Sequence, residues 1–115
     1  MRRIDIINIY KTLGKVRLNK VSDKSMRDTL VANHLKMFRV ARENDEYIAS
    51  LQEAFDPDAV REANEAYQRY AGETVDISLG KIDGKAFADM VSAGDIDLTL
   101  SEIALLEPIF EEGTL

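Results

Sequence analysis

"TLVANHLKMFRVARENDEYIASLQEAFDPDAV", residues 29–60, decides the fold, because it reads either as one long helix or as two shorter ones. Leu30, Val31, Leu35, Phe38, Ala41, Ile48, Leu51 and Phe55 recur at roughly helical spacing and are expected to form the stripe that faces the core. The interval "RENDEY" (42–47) holds Asn44 and Asp45, which are weak helix formers. A continuous helix to about residue 55 is expected, with fraying or a bend at that interval as the alternative. Ser22 or Ser25 would cap its start. Asp56-Pro57 is a sharper signal, since Asp caps and Pro suits a first helical position where no amide donor is needed. A further helix should then run from 57 to about 71, turn Val60, Ala63, Ala66, Tyr67 and Tyr70 inward, and stop at Gly72. Helices joined by so short a turn lie antiparallel, so residues 23–71 read as a helical hairpin.

Before the hairpin, Ile6, Ile9, Tyr10, Leu13 and Val16 mark one face of an N-terminal helix, and Gly14 stands where a left-handed stop would end it. After Gly72 the period changes. Val75, Ile77 and Leu79 alternate with polar residues, as do Ile96, Leu98 and Leu100, and the two pieces are expected to pair as a small two-stranded ribbon packed on the helices. Between them Asp83 would cap a short helix, "GKAFADMVSA", that Gly94 ends.

Near the end of the sequence, Thr99 and Glu102 form a capping box, with Leu98 and Ile103 as its hydrophobic staple. Leu100, Ile103, Leu106 and Phe110 give that helix an apolar stripe. Pro108 should kink or end it near Glu107. Ile109 and Phe110 would then lie as a lid across the hairpin, and the alternative leaves Ile103, Leu106, Ile109 and Phe110 exposed as a partner surface. The fold class is therefore mainly α: one domain over 1–115, with a helical hairpin and N-terminal helix over 1–72 and a strand-and-short-helix tail over 73–115.

Charge is unevenly distributed. Residues 1–42 hold 11 Lys+Arg against 3 Asp+Glu, a balance of +8, and residues 43–115 hold 4 against 18, a balance of -14, which together give the net -6. Such a chain can fold back on itself, pair neighbouring subunits head to tail, or present a basic face to a polyanion. Arg2, Arg3, Lys11, Lys15, Arg17 and Lys20 are the candidate polyanion surface, joined by Lys24 and Arg27. Against nucleic acid stand a single stacking aromatic, Tyr10, and the lack of any recognised binding motif. No cysteine is present, which excludes disulfides and thiolate chemistry. Asp5, Asn8 and Lys11 interrupt the apolar run a signal peptide needs, and no run is long enough to span a bilayer, so a cytosolic protein is expected.

Motifs for chemistry fail on spacing. "GKIDGKA" (80–86) has three residues between its glycines where a phosphate loop has four, and Ala86 where a magnesium ligand belongs. "DIDLTLSE" (95–102) begins like a calcium loop, but Leu100 and Leu106 occupy the glycine and glutamate positions. His34 is the only histidine. It could act as a lone base, although its place beside a helix stripe reads as a boundary residue. No catalytic residue, metal ligand or cofactor is expected.

"ETVDISLGKIDGKAF" and "DIDLTLSEIALLEPIFEE", with "KVSDKSMRDTLVANHLKMF" less specifically, resemble small uncharacterised proteins encoded among the structural and tail genes of bacteriophages and prophages. In those proteins a V-D-x-x-L-x-K-I segment precedes an L-T-x-x-E-x-x-x-L-E-P helix. This chain departs from them in its longer "KAFADMVSAG" link. The resemblance carries no activity. It implies a phage or prophage origin and a role in virion structure or assembly, in the host cytoplasm or on the virion. The charge split and the missing catalytic clusters point to a non-enzymatic interaction protein, with itself or phage structural proteins as partners. The alternative is a small nucleic-acid-associated regulator using the basic N-terminal half.

Overall fold

Met26, Leu30, Asn33, Met37, Val40 and Asn44 follow one another at alternating steps of four and three, and they are the buried residues of the longest helix. The computed structural model describes residues 1–114. Five α-helices carry the fold: α1 (Arg3–Leu13), α2 (Lys24–Ala54), α3 (Val60–Ala71), α4 (Gly84–Ser92) and α5 (Leu100–Leu105). Single 3-10 turns, Leu18–Lys20 and Glu107–Ile109, follow α1 and α5.

At about 1.5 Å per residue, the 31 residues of α2 span roughly 46 Å and account for the molecule's 49 Å long axis. The helix passes through "RENDEY" without a break, because two weak helix formers cost little in so long a helix and the Asn44 side chain is bonded to Tyr67. Its cap is Asp23, whose carboxylate accepts from the Met26 amide at 3.1 Å, and neither Ser22 nor Ser25.

The other two long helices share α2 end to end. α3 folds back along its C-terminal part: Tyr67 Oη donates to Asn44 Oδ1 at 3.0 Å, and the rings of Tyr47 and Tyr70 stack at 3.9 Å. α1 then begins where α3 stops. The Arg3 amide bonds to Glu73 O, and the Arg3 guanidinium lies 4.0 Å over the Tyr70 ring and 3.1 Å from the Glu73 carboxylate. From there α1 runs along the N-terminal part of α2, with Tyr10 stacked on His34. α3 starts at Val60, later than expected, because residues 56–59 close a turn in which Ala59 N donates to Asp56 O. Of α3 only Ala71 is buried, and Val60 is 59% exposed.

α1 is buried more widely than one stripe, with Ile6, Ile7, Ile9 and Leu13 inside, since α2 and α5 both pack on it. Gly14 ends it in right-handed geometry (φ -61°) through a bond from its amide to Tyr10 O, so no left-handed stop is used there. The left-handed stop is at Gly94 (φ 86°), after α4. Gly94 N donates to Val91 O and Asp95 N to Met90 O, the paired bonds of a Schellman motif.

The β-ribbon does not form. Residues 75–80 form no regular element and bond to side chains of α2 and to Met1 instead of to a strand. Asn33 Nδ2 donates to Gly80 O at 2.9 Å, and Asn33 Oδ1 accepts from Gly80 N at 2.7 Å; Lys36 Nζ donates to Ser78 O, and Val75 N to Met1 O. An alternating pattern specifies an extended backbone, and here α2 supplies the hydrogen bonds a second strand would have made. A Cβ added at Gly80 would lie 2.9 Å from Thr29 Cγ2, so the close approach needs glycine. Residues 95–98 are likewise not a strand; they wrap back onto the end of α4 and bury Ile96. Only isolated bridges occur among the described residues, Arg2 with Thr74 and Ile82 with Phe110.

The C-terminal segment follows its local signals. Asp83 caps α4 by accepting from Ala86 N, and Thr99 and Glu102 make both bonds of the capping box that opens α5. The 3-10 turn at Pro108 then turns the chain so that Leu106, Ile109 and Phe110 enter the core, Phe110 against Phe87 at 5.6 Å. The lid lies on α1 and the Ile82–Phe87 region. Leu100, expected in the apolar stripe, is 87% exposed, because its place at the first turn of α5 faces away from α1.

Candidate interaction surfaces

Three apolar side chains of α2 stand in solvent: Val31 (39% exposed), Leu35 (68%) and Phe38 (50%). At about 100° per residue they lie roughly 140° round the helix from the buried Met26–Asn44 face. The single stripe expected from the sequence therefore joins two faces. Leu30, Ile48, Leu51 and Phe55 belong to the inner side, while Val31, Leu35 and Phe38 belong to the outer one. The inner face includes Asn33 and Asn44, both buried, Asn33 bonded through both ends of its amide and Asn44 through its Oδ1, which is why an apolar count misplaces it.

Beside Val31 and Leu35 runs a shallow cleft of about 250 Å³, walled also by Leu13, Val16, Leu18 and His34. His34 stacks on Tyr10 at 4.4 Å, and its buried Nδ1 has no hydrogen-bond partner. It is the boundary residue of an apolar cleft, with no carboxylate bonded to it to orient a base. Among the described residues no three His, Asp or Glu side chains converge as a metal would require.

A second cleft, of about 500 Å³, opens where α2 and α3 diverge. Ile48, Leu51, Phe55, Val60, Ala63 and Tyr67 form its apolar walls, and Asp56 stands at its edge. The surrounding arm, residues 43–73, carries nine acids against Arg61 and Arg69, a balance of -7. The remaining residues hold 13 basic against 12 acidic groups, a balance of +1. The charge split of the sequence is thus largely cancelled in the body, where residues 74–114 pack against residues 1–42, and it survives in the arm.

The alternative of a partner surface at Ile103, Leu106, Ile109 and Phe110 does not hold. Leu106 and Ile109 are fully enclosed, Phe110 nearly so, and Ile103 is half-buried against the same core, because the turn at Pro108 folds them inward. The candidate polyanion surface divides. Arg2 pairs with Asp5, Arg3 with Glu73 and more distantly Glu43, and Lys15 with Glu102. Lys11, Arg17 and Lys20 are exposed and form no ion pair among the described residues.

Three titrations register these contacts. The bond from Lys15, then the Thr99 amide, holds the Glu102 carboxyl below its usual range. Burial pushes the Tyr70 hydroxyl up, with Arg3 opposing. Hydrogen bonding and attraction from Asp5 raise Arg2. None of these groups sits in either cleft.

No helix among the described residues is long and apolar enough to cross a membrane. No known protein family, curated protein or solved structure matches the chain.

Proposed function

We propose that this is a non-enzymatic interaction protein, serving in the structure or assembly of a phage or prophage particle in the host cytoplasm or on the virion. One observation carries the interaction reading: the acidic arm ends in an open apolar cleft, from Ile48 to Tyr67, that no element of the chain covers. Such a cleft suits an apolar helix or segment with basic flanks. The phage setting is supported by the motif resemblance alone, carried by residues 73–87 and 95–112 and less specifically by 20–38.

The test uses purified structural and tail proteins encoded beside the gene. At least one should bind, more weakly at high salt, and Val60→Glu should weaken it about tenfold or more by placing a charge in the cleft wall. Val60 is exposed, so the variant should fold. Absence of binding at ~100 μM, a weak-interaction ceiling, or an unchanged affinity for Val60→Glu would overturn the reading.

The second reading, a nucleic-acid-associated regulator, rests on the unpaired Lys11, Arg17 and Lys20. Titration against duplex and single-stranded DNA at low salt decides it, and no binding there ends it.

A further inference from the structure

The outer face of α2 is bracketed by charge in a particular order. Lys24 and Asp28 precede Val31, Leu35 and Phe38; Arg42 and Asp45 follow them. The steps alternate four, three, four, three throughout, the spacing of a helix-pairing seam, and every one of these residues is exposed. The order is self-complementary when reversed. Set against a second α2 running the opposite way and centred on Leu35, Lys24 meets Asp45, Asp28 meets Arg42, Val31 meets Phe38, and Leu35 meets its own copy. In a parallel pairing each charge would instead face its like, which is unfavourable.

We propose that α2 pairs antiparallel with α2 of a second copy of this chain, the two-fold axis passing beside Leu35. The inference rests on the reading of the chain as an interaction protein but uses a different surface from the arm cleft. Three features support this occupant. Ion pairs along the helix already hold three of the four flanking seam residues in line, Lys24 with Asp28 at 2.7 Å within the seam and Arg42 with Glu46, just outside it, at 3.3 Å. The apolar centre is symmetric, as an isologous contact requires. The shallow cleft beside Val31 lies where Phe38 of the second copy arrives, so the ring can cover the wall that includes His34. α1 flanks one edge of the seam, with the Tyr10 ring 6.4 Å from that of Phe38, and the 75–80 segment bonds to Asn33 and Lys36 on another side of α2, so Val31, Leu35 and Phe38 stay exposed between them.

Sedimentation across a concentration series should show a monomer–dimer equilibrium that high salt weakens. Leu35→Glu should weaken dimerisation tenfold or more, since it places like charges on the axis, and its helical circular dichroism should stay unchanged because Leu35 is largely exposed. Orientation is read by disulfide trapping, which the absence of native cysteine makes clean. Leu35→Cys should link two chains under mild oxidation, Val31→Cys alone should not, and Val31→Cys combined with Phe38→Cys should. A monomer up to ~1 mM, near the limit of meaningful affinity, a dimer indifferent to Leu35→Glu, or efficient linking by Val31→Cys alone would each overturn the proposal. None of these outcomes touches binding at the arm cleft, so the two readings fail separately.

Discussion

The two faces of α2 invert the usual expectation. The inner face buries two asparagines, and the outer face leaves a valine, a leucine and a phenylalanine in solvent. What separates them is the availability of partners. Asn33 and Asn44 are tolerated inside because Gly80 bonds both ends of the Asn33 amide and Tyr67 donates to Asn44 Oδ1, and a bonded amide contributes specificity that an aliphatic residue lacks. Each fixes one packing decision: Asn33 the path of the extended segment, Asn44 the seating of α3.

Exchanging residues between the faces tests this contrast most severely. Asn33→Leu should cost about 2–3 kcal/mol in denaturant unfolding, because both polar groups of the half-buried Gly80 lose their partner. Gly80→Ala should cost about 1–3 kcal/mol by driving a methyl against Thr29. Asn44→Leu, or Tyr67→Phe on the other side of that bond, should cost about 1 kcal/mol and loosen α3 in hydrogen exchange without unfolding the body. The contrast repeats on a smaller scale at α5, where Thr99 and Glu102 are bonded while Leu100 is exposed. Thr99→Ala should cost about 1 kcal/mol. At the low end, Leu35→Asn should change monomer stability by less than about 0.5 kcal/mol. A large loss there would mean the outer face is structural, and the comparison would fail.

Glu102 adds a pH dependence of known sign. Its carboxyl is depressed in the folded protein, so its contribution is fully present above the unfolded carboxylate value and is lost as pH falls through the folded one. Glu102→Gln keeps the capping bond and loses the charge. It should therefore flatten stability against pH on the acid side, as followed by thermal unfolding at stepped pH.

The ends fixed by Asp83, the Thr99–Glu102 box, Gly94 and Pro108 were readable, because each acts within a few residues. Other ends were not: Asp23 and no serine caps α2, Gly14 ends α1 right-handed, and α3 starts at Val60 after a turn instead of at Pro57. The uninterrupted α2 was readable for a related reason, since two weak helix formers cost little across so many turns. The buried side of α2 was not. It depends on Asn33 meeting Gly80 and Asn44 meeting Tyr67, bonds that span 47 and 23 residues and leave no local trace. Alternation in residues 75–79 announced an extended chain and was silent about what it would bond. The candidate sites suffered most. The apolar residues near the C-terminus are core, as the lid reading has them and against the alternative of a partner surface, while Val31, Leu35 and Phe38, core residues by the stripe pattern of α2, are surface.

The arm has a consequence of its own. Its charge lies toward one end of a 49 Å axis, several screening lengths of about 8 Å from the far end at physiological salt, so a cationic partner senses that tip almost independently of the near-neutral remainder. Two chains joined at the middle of their long helices would point two such tips in opposite directions. The product would be a bivalent connector whose grip on a repetitive array exceeds that of either tip through avidity, with no additional contact required.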